Sequence, residues 1–214
     1  MRASTGGCTD AEAGRECRVR NRGQDETTGS GALAETIAKA AAPTASSRRP
    51  AARARFDARF HDDGLRLLYG HWQAVRGARP APARREIDPA AIAAVLPSIA
   101  LFDVEETPRR YRIRLMGSRN VAWYGADPSG CYLDELDIGN GRAELCATLD
   151  RIVDLAVPGH MTGEYTRQEG QYLRYERLFM PLSNDGRRVD MLLGAVCRLP
   201  PEAPIIGHSL ELPA

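Results

Sequence analysis

The residues best suited to bind a small molecule form a polar and aromatic group between positions 119 and 132. Arg119, Asn120, Trp123, Tyr124 and Tyr132 combine a cation, an amide and three aromatic rings. A guanidinium and an amide can orient an anion by hydrogen bonds, and aromatic rings form the walls of many small-molecule pockets. We therefore treat these five residues as a candidate ligand-binding set for a metabolite or anion. The alternative is that the rings only fill the core.

The sequence offers no recognisable catalytic or metal-binding constellation. Asp134, Glu135 and Asp137 form an acidic run, but adjacent side chains on a short segment point in different directions. The five cysteines include no CxxC pair, and none has a histidine at metal-ligand spacing. His160 stands alone at a helix-to-strand junction, where we expect an exposed or capping residue. We therefore expect no enzymatic activity, no metal and no cofactor.

Bulk composition limits the choice of partners. The chain of 214 residues has 29 Lys and Arg against 28 Asp and Glu, so its charge does not indicate a nucleic-acid partner. No stretch reaches the roughly 18 consecutive apolar residues of a spanning helix, and no secretory signal is visible at the start. These features predict a cytoplasmic protein that does not bind membranes.

The first 60 residues differ in composition from the rest. They are rich in Gly, Ala, Ser, Thr and Arg and contain few large apolar side chains, so they cannot bury enough surface to offset the entropy of ordering. We interpret residues 1–60 as a disordered segment. Its arginines at positions 48, 49, 53, 55 and 59 support an alternative hypothesis, a DNA-associated regulator.

A long hairpin is the strongest structural signal. Tyr172–Leu182 and Arg188–Cys197 are strand-forming runs, and Ser183–Gly186 between them has the composition of a turn. Both faces of the first strand become apolar towards the turn. Such a sheet must be covered on both sides.

An amphipathic helix over Asp63–Arg76 is predicted to cover one of these faces. Leu65, Leu68, Trp72 and Val75 recur at helical spacing. A single helix of this length need not cover the sheet completely, so the same four residues are also the candidate interface of a homodimer.

The remaining elements complete an α+β fold. After a short helix starting at Asp88-Pro89 we expect two strands, a short helix, a long helix and a further strand before the hairpin. Their order predicts a five-stranded antiparallel sheet with helices across one face and the amphipathic N-terminal helix on the other. The boundaries are an N-terminal flank at 61–97, a core at 98–199 and a loosely attached tail at 200–214. The predicted ranges are Ser98–Val104, Arg110–Met116, Ser118–Tyr124, Arg142–Val157 and Met161–Gln168.

Several short sequence motifs occur in a characteristic order between Leu65 and Cys197. Together they resemble a family of short, stand-alone bacterial proteins built on a single PAS domain. The resemblance implies the fold described above and a sensory or protein-interaction module. The motifs are Leu67-Leu68 with Trp72, Pro82-Ala83-Arg84, Ile87-Asp88-Pro89, Leu96-Pro97, Phe102-Asp103-Val104, Tyr111–Ser118, Gly130, Leu133–Leu136, Met180–Ser183, Asp185-Gly186 and Val189–Gly194.

Comparison with better-known PAS classes argues against two cofactors. In the light-sensing flavin class the reactive cysteine corresponds to Leu133 here, and Cys131 lies two residues too early. Haem-binding PAS domains commonly present a histidine from the long helix, and Arg142–Val157 contains none. The resemblance therefore implies neither a flavin adduct nor haem.

Three functional hypotheses follow. The first is a non-enzymatic regulatory PAS domain that acts through protein–protein contact and pairs with itself. The second is a sensor for a metabolite or anion bound near Arg119, Trp123 and Tyr124. The third is the DNA-associated regulator that would use the N-terminal arginines.

Overall fold

The computed structural model of the chain describes residues 56, 58–136, 138, 141–166 and 172–210. The predicted disorder of residues 1–55 and most of the arginine patch lie outside this range. Within it, Phe56 and Phe60 are buried, with 3% and 1% of their surface exposed. The end of the segment predicted to be disordered is therefore part of the core.

The chain forms one antiparallel sheet in the order β2-β1-β5-β4-β3-β6. All five predicted strands are present. They are β1 (Ile99–Glu106), β2 (Arg109–Met116), β3 (Gly159–Thr166), β4 (Tyr172–Leu182) and β5 (Met191–Arg198), and a short β6 (His208–Leu210) follows them.

Strand β6 corrects the expectation of a loosely attached tail. It pairs with β3, from Gly159 opposite Leu210 to Met161 opposite His208. The guanidinium of Arg174 donates hydrogen bonds to the carbonyls of Pro200 and Ala203, at 2.7 and 2.6 Å. The described part of the tail is thus fastened to the sheet.

Within the described residues, three α-helices accompany the sheet, and their ends follow local signals. They are α1 (Asp63–Arg76), α2 (Ser118–Tyr124) and α3 (Arg142–Leu155). Asp62 caps α1 by accepting hydrogen bonds from the backbone of the first turn, and Gly77 ends the helix at a positive φ of 58°. Short 3-10 helices lie at Arg84–Glu86, Ala93–Ser98 and Leu133–Glu135.

The sheet has two cores, one on each face. On what we call the outer face, α1 buries Leu65, Leu68 and Trp72 completely, each with 0% exposure. The Trp72 indole N–H donates to the Pro181 carbonyl at 2.9 Å. The opposite, inner face packs Phe102, Phe179 and Leu192 with Leu149 and Ile152 of α3 and with the Leu133–Leu136 segment. Both faces are therefore covered, as the hairpin requires.

The start of one strand differs from its prediction, and a local turn explains the difference. The second hairpin strand begins at Met191 instead of Arg188. The Asp185 carboxylate accepts hydrogen bonds from the backbone N–H groups of Arg187 and Arg188, at 2.8 and 3.1 Å. This local turn removes both residues from strand pairing.

We predict that Trp72→Ala lowers the free energy of unfolding by about 4 kcal/mol, because it empties a fully buried site and leaves the Pro181 carbonyl without its donor. Leu67→Ala on the same helix should change stability by no more than about 0.5 kcal/mol, since Leu67 is 43% exposed. Chemical denaturation of both variants measures the difference. Equal losses would contradict the burial of α1.

Candidate functional site

A buried acid and a buried histidine meet on the outer face of the sheet. Glu176 of β4 and His160 of β3 have 0% exposure. Glu176 Oε1 lies 2.8 Å from His160 Nε2. Because a carboxylate without water needs hydrogen-bond donors, this pair satisfies part of that requirement.

The remaining donors come from the backbone that leads into α1. The Glu176 carboxylate accepts from the His61 N–H at 2.9 and 3.1 Å and from the Asp62 N–H at 3.0 Å. The Nδ1 atom of the His61 ring lies 3.4 Å from Glu176 Oε1. We call Glu176, His160 and the His61-Asp62 backbone the flank anchor, since together they join α1 to the centre of the sheet.

Aromatic rings enclose the flank anchor. The ring centroids of Phe60 and Phe56 lie 5.0 and 6.4 Å from that of His160. Burial raises the pKa of Glu176, but the hydrogen bonds from His160, His61 and Asp62 outweigh burial, and the pKa lies below its usual value. The carboxylate is therefore ionised at neutral pH and fully buried.

The sequence interpretation of His160 was wrong. We expected an exposed or capping residue, whereas β3 begins at Gly159 and places His160 inside the outer core. The sequence feature that predicts a buried partner such as His160 is Glu176. It occupies the same strand face as Leu178 and Met180, which are fully buried, and a carboxylate there requires compensation.

The inner face carries a second unusual charge. Arg177 of β4 is half-buried, and its guanidinium carbon lies 3.9 Å from the centroid of the Tyr175 ring. Its Nε is buried, and none of the described residues accepts a hydrogen bond from it. Burial lowers the pKa of Arg177. On β5, the guanidinium carbon of Arg198 lies 5.9 Å from the Trp123 ring centroid.

The five residues of the candidate ligand-binding set occupy different surroundings. Arg119 is exposed and donates to Ser98 Oγ at 2.7 Å. Asn120 is buried, and its side-chain N–H donates to the Ser98 carbonyl at 2.7 Å. Trp123 and Tyr124 are half-buried near the inner face. The first two residues thus serve to hold α2 against the start of β1.

Tyr132 lies in another environment. Its ring stacks under the Arg110 guanidinium at 3.6 Å, and its hydroxyl donates to Glu105 at 2.9 Å. Tyr132 therefore contacts residues of β1 and β2. The acidic residues Asp134 and Glu135 both pair with Arg110, each at 2.8 Å, while Asp137 lies outside the described residues.

The described part of the chain has neither a metal-type cluster nor a membrane-spanning helix. It contains no group of three or more His, Cys, Asp or Glu side chains arranged to hold a metal ion. No helix among the described residues is long and apolar enough to cross a bilayer.

The family of this chain follows from a sequence comparison. A family model described as a PAS domain matches residues 61–197, which include the flank and the whole core. The chain therefore belongs to the PAS-domain family, and that membership supports a sensory or regulatory domain. No curated protein sequence matches the chain.

Solved structures with a related fold are distant. The Rhodobacter sphaeroides LOV protein is 16% identical, with a TM-score of 0.41 over 51% of this chain and 65% of that protein. For the PAS domain of BvgS from Bordetella pertussis the identity is 15% and the TM-score 0.42, over 51% of this chain and 82% of that domain. The PAS domain of an HTR-like protein from Haloarcula marismortui is 19% identical, with a TM-score of 0.37 over 51% and 90%. These similarities are too weak to assign a ligand or a partner.

We predict that Glu176→Gln lowers the free energy of unfolding by about 3 kcal/mol at pH 7, because it breaks a buried charged pair. The folded-state pKa of Glu176 lies below the ordinary value of 4.5, so its stabilising contribution is present above about pH 4.5 and is lost as the pH falls through the folded-state pKa. The gap between wild type and variant should therefore narrow on acidification.

Denaturation of both proteins between pH 7 and pH 3 measures this gap. Glu202→Gln is the matched control, because Glu202 is exposed. A gap that stays constant down to pH 3 would contradict the assignment of an ionised, stabilising carboxylate.

Proposed function

We propose that this protein is a non-enzymatic regulatory PAS domain that acts through protein–protein contact, with its N-terminal flank as the contacting element. The observation that carries this proposal is the flank anchor. A buried carboxylate of the central sheet holds the backbone of residues 61 and 62, so the position of α1 depends on a specific polar contact and not on apolar packing alone. Buried polar contacts favour one arrangement over others.

We propose no catalytic role because a substrate cannot reach the described pair that most resembles an acid–base couple. Glu176 and His160 are the described pair most similar to an acid–base couple, but both have 0% exposure and lie under Phe60. A general base must come within hydrogen-bond reach of its substrate. The pair is therefore suited to holding the flank and unsuited to chemistry on a substrate.

The contact surface that we propose is the exposed side of α1. Leu65, Leu68 and Trp72, which the sequence offered as a dimer interface, are inside the chain's own core, and Val75 is partly buried against it. Leu67 is 43% exposed on the opposite side of the helix. A contact through Leu67 leaves the outer core intact, so it fits a folded regulatory domain.

The first partner to test is a second copy of the chain. We predict that the protein forms a concentration-dependent dimer in sedimentation velocity, and that Leu67→Glu weakens it at least tenfold because the contact would bury the new charge. Leu155→Glu is the matched control: Leu155 is 49% exposed at the end of α3. A wild-type protein that stays monomeric at high concentration, or equal effects of both variants, would contradict self-pairing through α1.

The alternative hypotheses differ in what the structure offers them. The DNA-associated regulator depends on arginines that, except for Arg59, lie outside the described residues. The ligand sensor as first formulated depends on Arg119, which is exposed and bonded to Ser98. Arg177 provides a different basis for a ligand.

A further inference from the structure

We propose that Arg177 anchors a binding site for a small organic carboxylate on the inner face of the sheet, between β4, β5 and α2. This inference goes beyond the proposed function, because it concerns an input to the domain and does not depend on how α1 meets a partner. Its basis is a half-buried cation for which the described residues supply no compensating anion.

Arg177 differs in its partners from three arginines of β2. Arg109, Arg110 and Arg114 of β2 each pair with one or two carboxylates at 2.5–2.9 Å. For Arg177 the described residues provide a contact with the Tyr175 ring, and they provide neither an ion pair nor an acceptor for its buried Nε. The guanidinium remains charged at any physiological pH, and its buried Nε has lost water without gaining an acceptor among the described residues, which costs free energy.

The strand register shows where an anion would lie. Arg177 is opposite Val196 of β5, and Tyr175 is opposite Arg198. Arg198 is thus the diagonal neighbour of Arg177 on the same face, at a separation that long side chains can bridge. Arg177 is half-buried and Arg198 is exposed. We therefore place the two cations at an inner and an outer position of the proposed site.

Two aromatic rings lie beside the proposed site. Tyr175 lies across Gly163 of β3, where a Cβ atom would overlap its phenol ring. The glycine thus allows Tyr175 to lie flat and to stack against Arg177. Trp123 of α2 faces Arg198. Apolar rings beside a guanidinium suit a flat acid better than a fully hydrated ion.

The chemistry of the anchor selects the ligand class. A guanidinium binds a carboxylate through two parallel N–H donors, and this geometry is shared with phosphate. The rings of Tyr175 and Trp123 favour an anion with an apolar body. We therefore assign the site to small organic carboxylates, and inorganic phosphate provides the comparison that separates the two oxyanions.

The test is thermal unfolding of the full chain with sodium benzoate, with benzamide as its neutral isostere and with sodium phosphate, all at matched ionic strength. At about ten times its dissociation constant, benzoate should raise the Tm by about 3 °C. Benzamide should not, and phosphate should do so less. A rise with benzamide equal to that with benzoate, an equal rise with phosphate, or no rise with benzoate would overturn the assignment.

Two variants locate the effect. Arg177→Met should abolish the benzoate shift while leaving the unliganded Tm equal or higher, because it removes a buried Nε that has no acceptor among the described residues. Arg114→Met is the matched control, since Arg114 is an exposed arginine of β2, and it should retain the full shift. A shift that survives Arg177→Met, or a large loss of unliganded stability in that variant, would show that Arg177 has a structural role instead.

Discussion

The hydrogen bonds that stabilise one buried carboxylate determine how α1 is attached to the sheet. Glu176 lies at the centre of a sheet whose outer face is otherwise apolar, and removing its charge from water is unfavourable unless hydrogen-bond donors surround it. One donor is His160 on the neighbouring strand, and the others are backbone N–H groups of residues 61 and 62. Because the latter immediately precede α1, their hydrogen bonds to Glu176 attach the start of the helix to the sheet, and the apolar stripe of α1 packs across it.

The alternation of a strand places two different charge environments next to each other. Glu176 points to the outer face, where residues of the same chain compensate it, and Arg177 points to the inner face, where the described residues do not. The proposed carboxylate site and the flank anchor are therefore adjacent positions of β4. If the proposed ligand changes the packing of this strand on one face, the change would act on the residue that holds α1 on the other. Under these proposals the adjacency would give the domain a short physical route from an input to the flank.

The sequence predicted the elements with strong local signals. The bounds of α1, α2 and β4 agree with the structure to the residue, because caps and glycines mark the helix ends and a turn marks the end of the strand. The flank anchor and the isolation of Arg177 were not predicted, since both depend on which residues the strand register brings together. The set between 119 and 132 stays a prediction, and the contact between Tyr132 and Arg110 could not be predicted for the same reason, because it too depends on the fold.

The most direct test of this account is hydrogen–deuterium exchange, resolved by peptide, in wild type and Glu176→Gln at pH 7. The account predicts that amides of residues 61–76 exchange at least tenfold faster in the variant while those of β5 and α3 keep their protection, because the flank loses its attachment and the rest of the sheet does not. Faster exchange throughout the protein would make Glu176 an ordinary core residue. Unchanged exchange in residues 61–76 would contradict the claim that this carboxylate holds the flank.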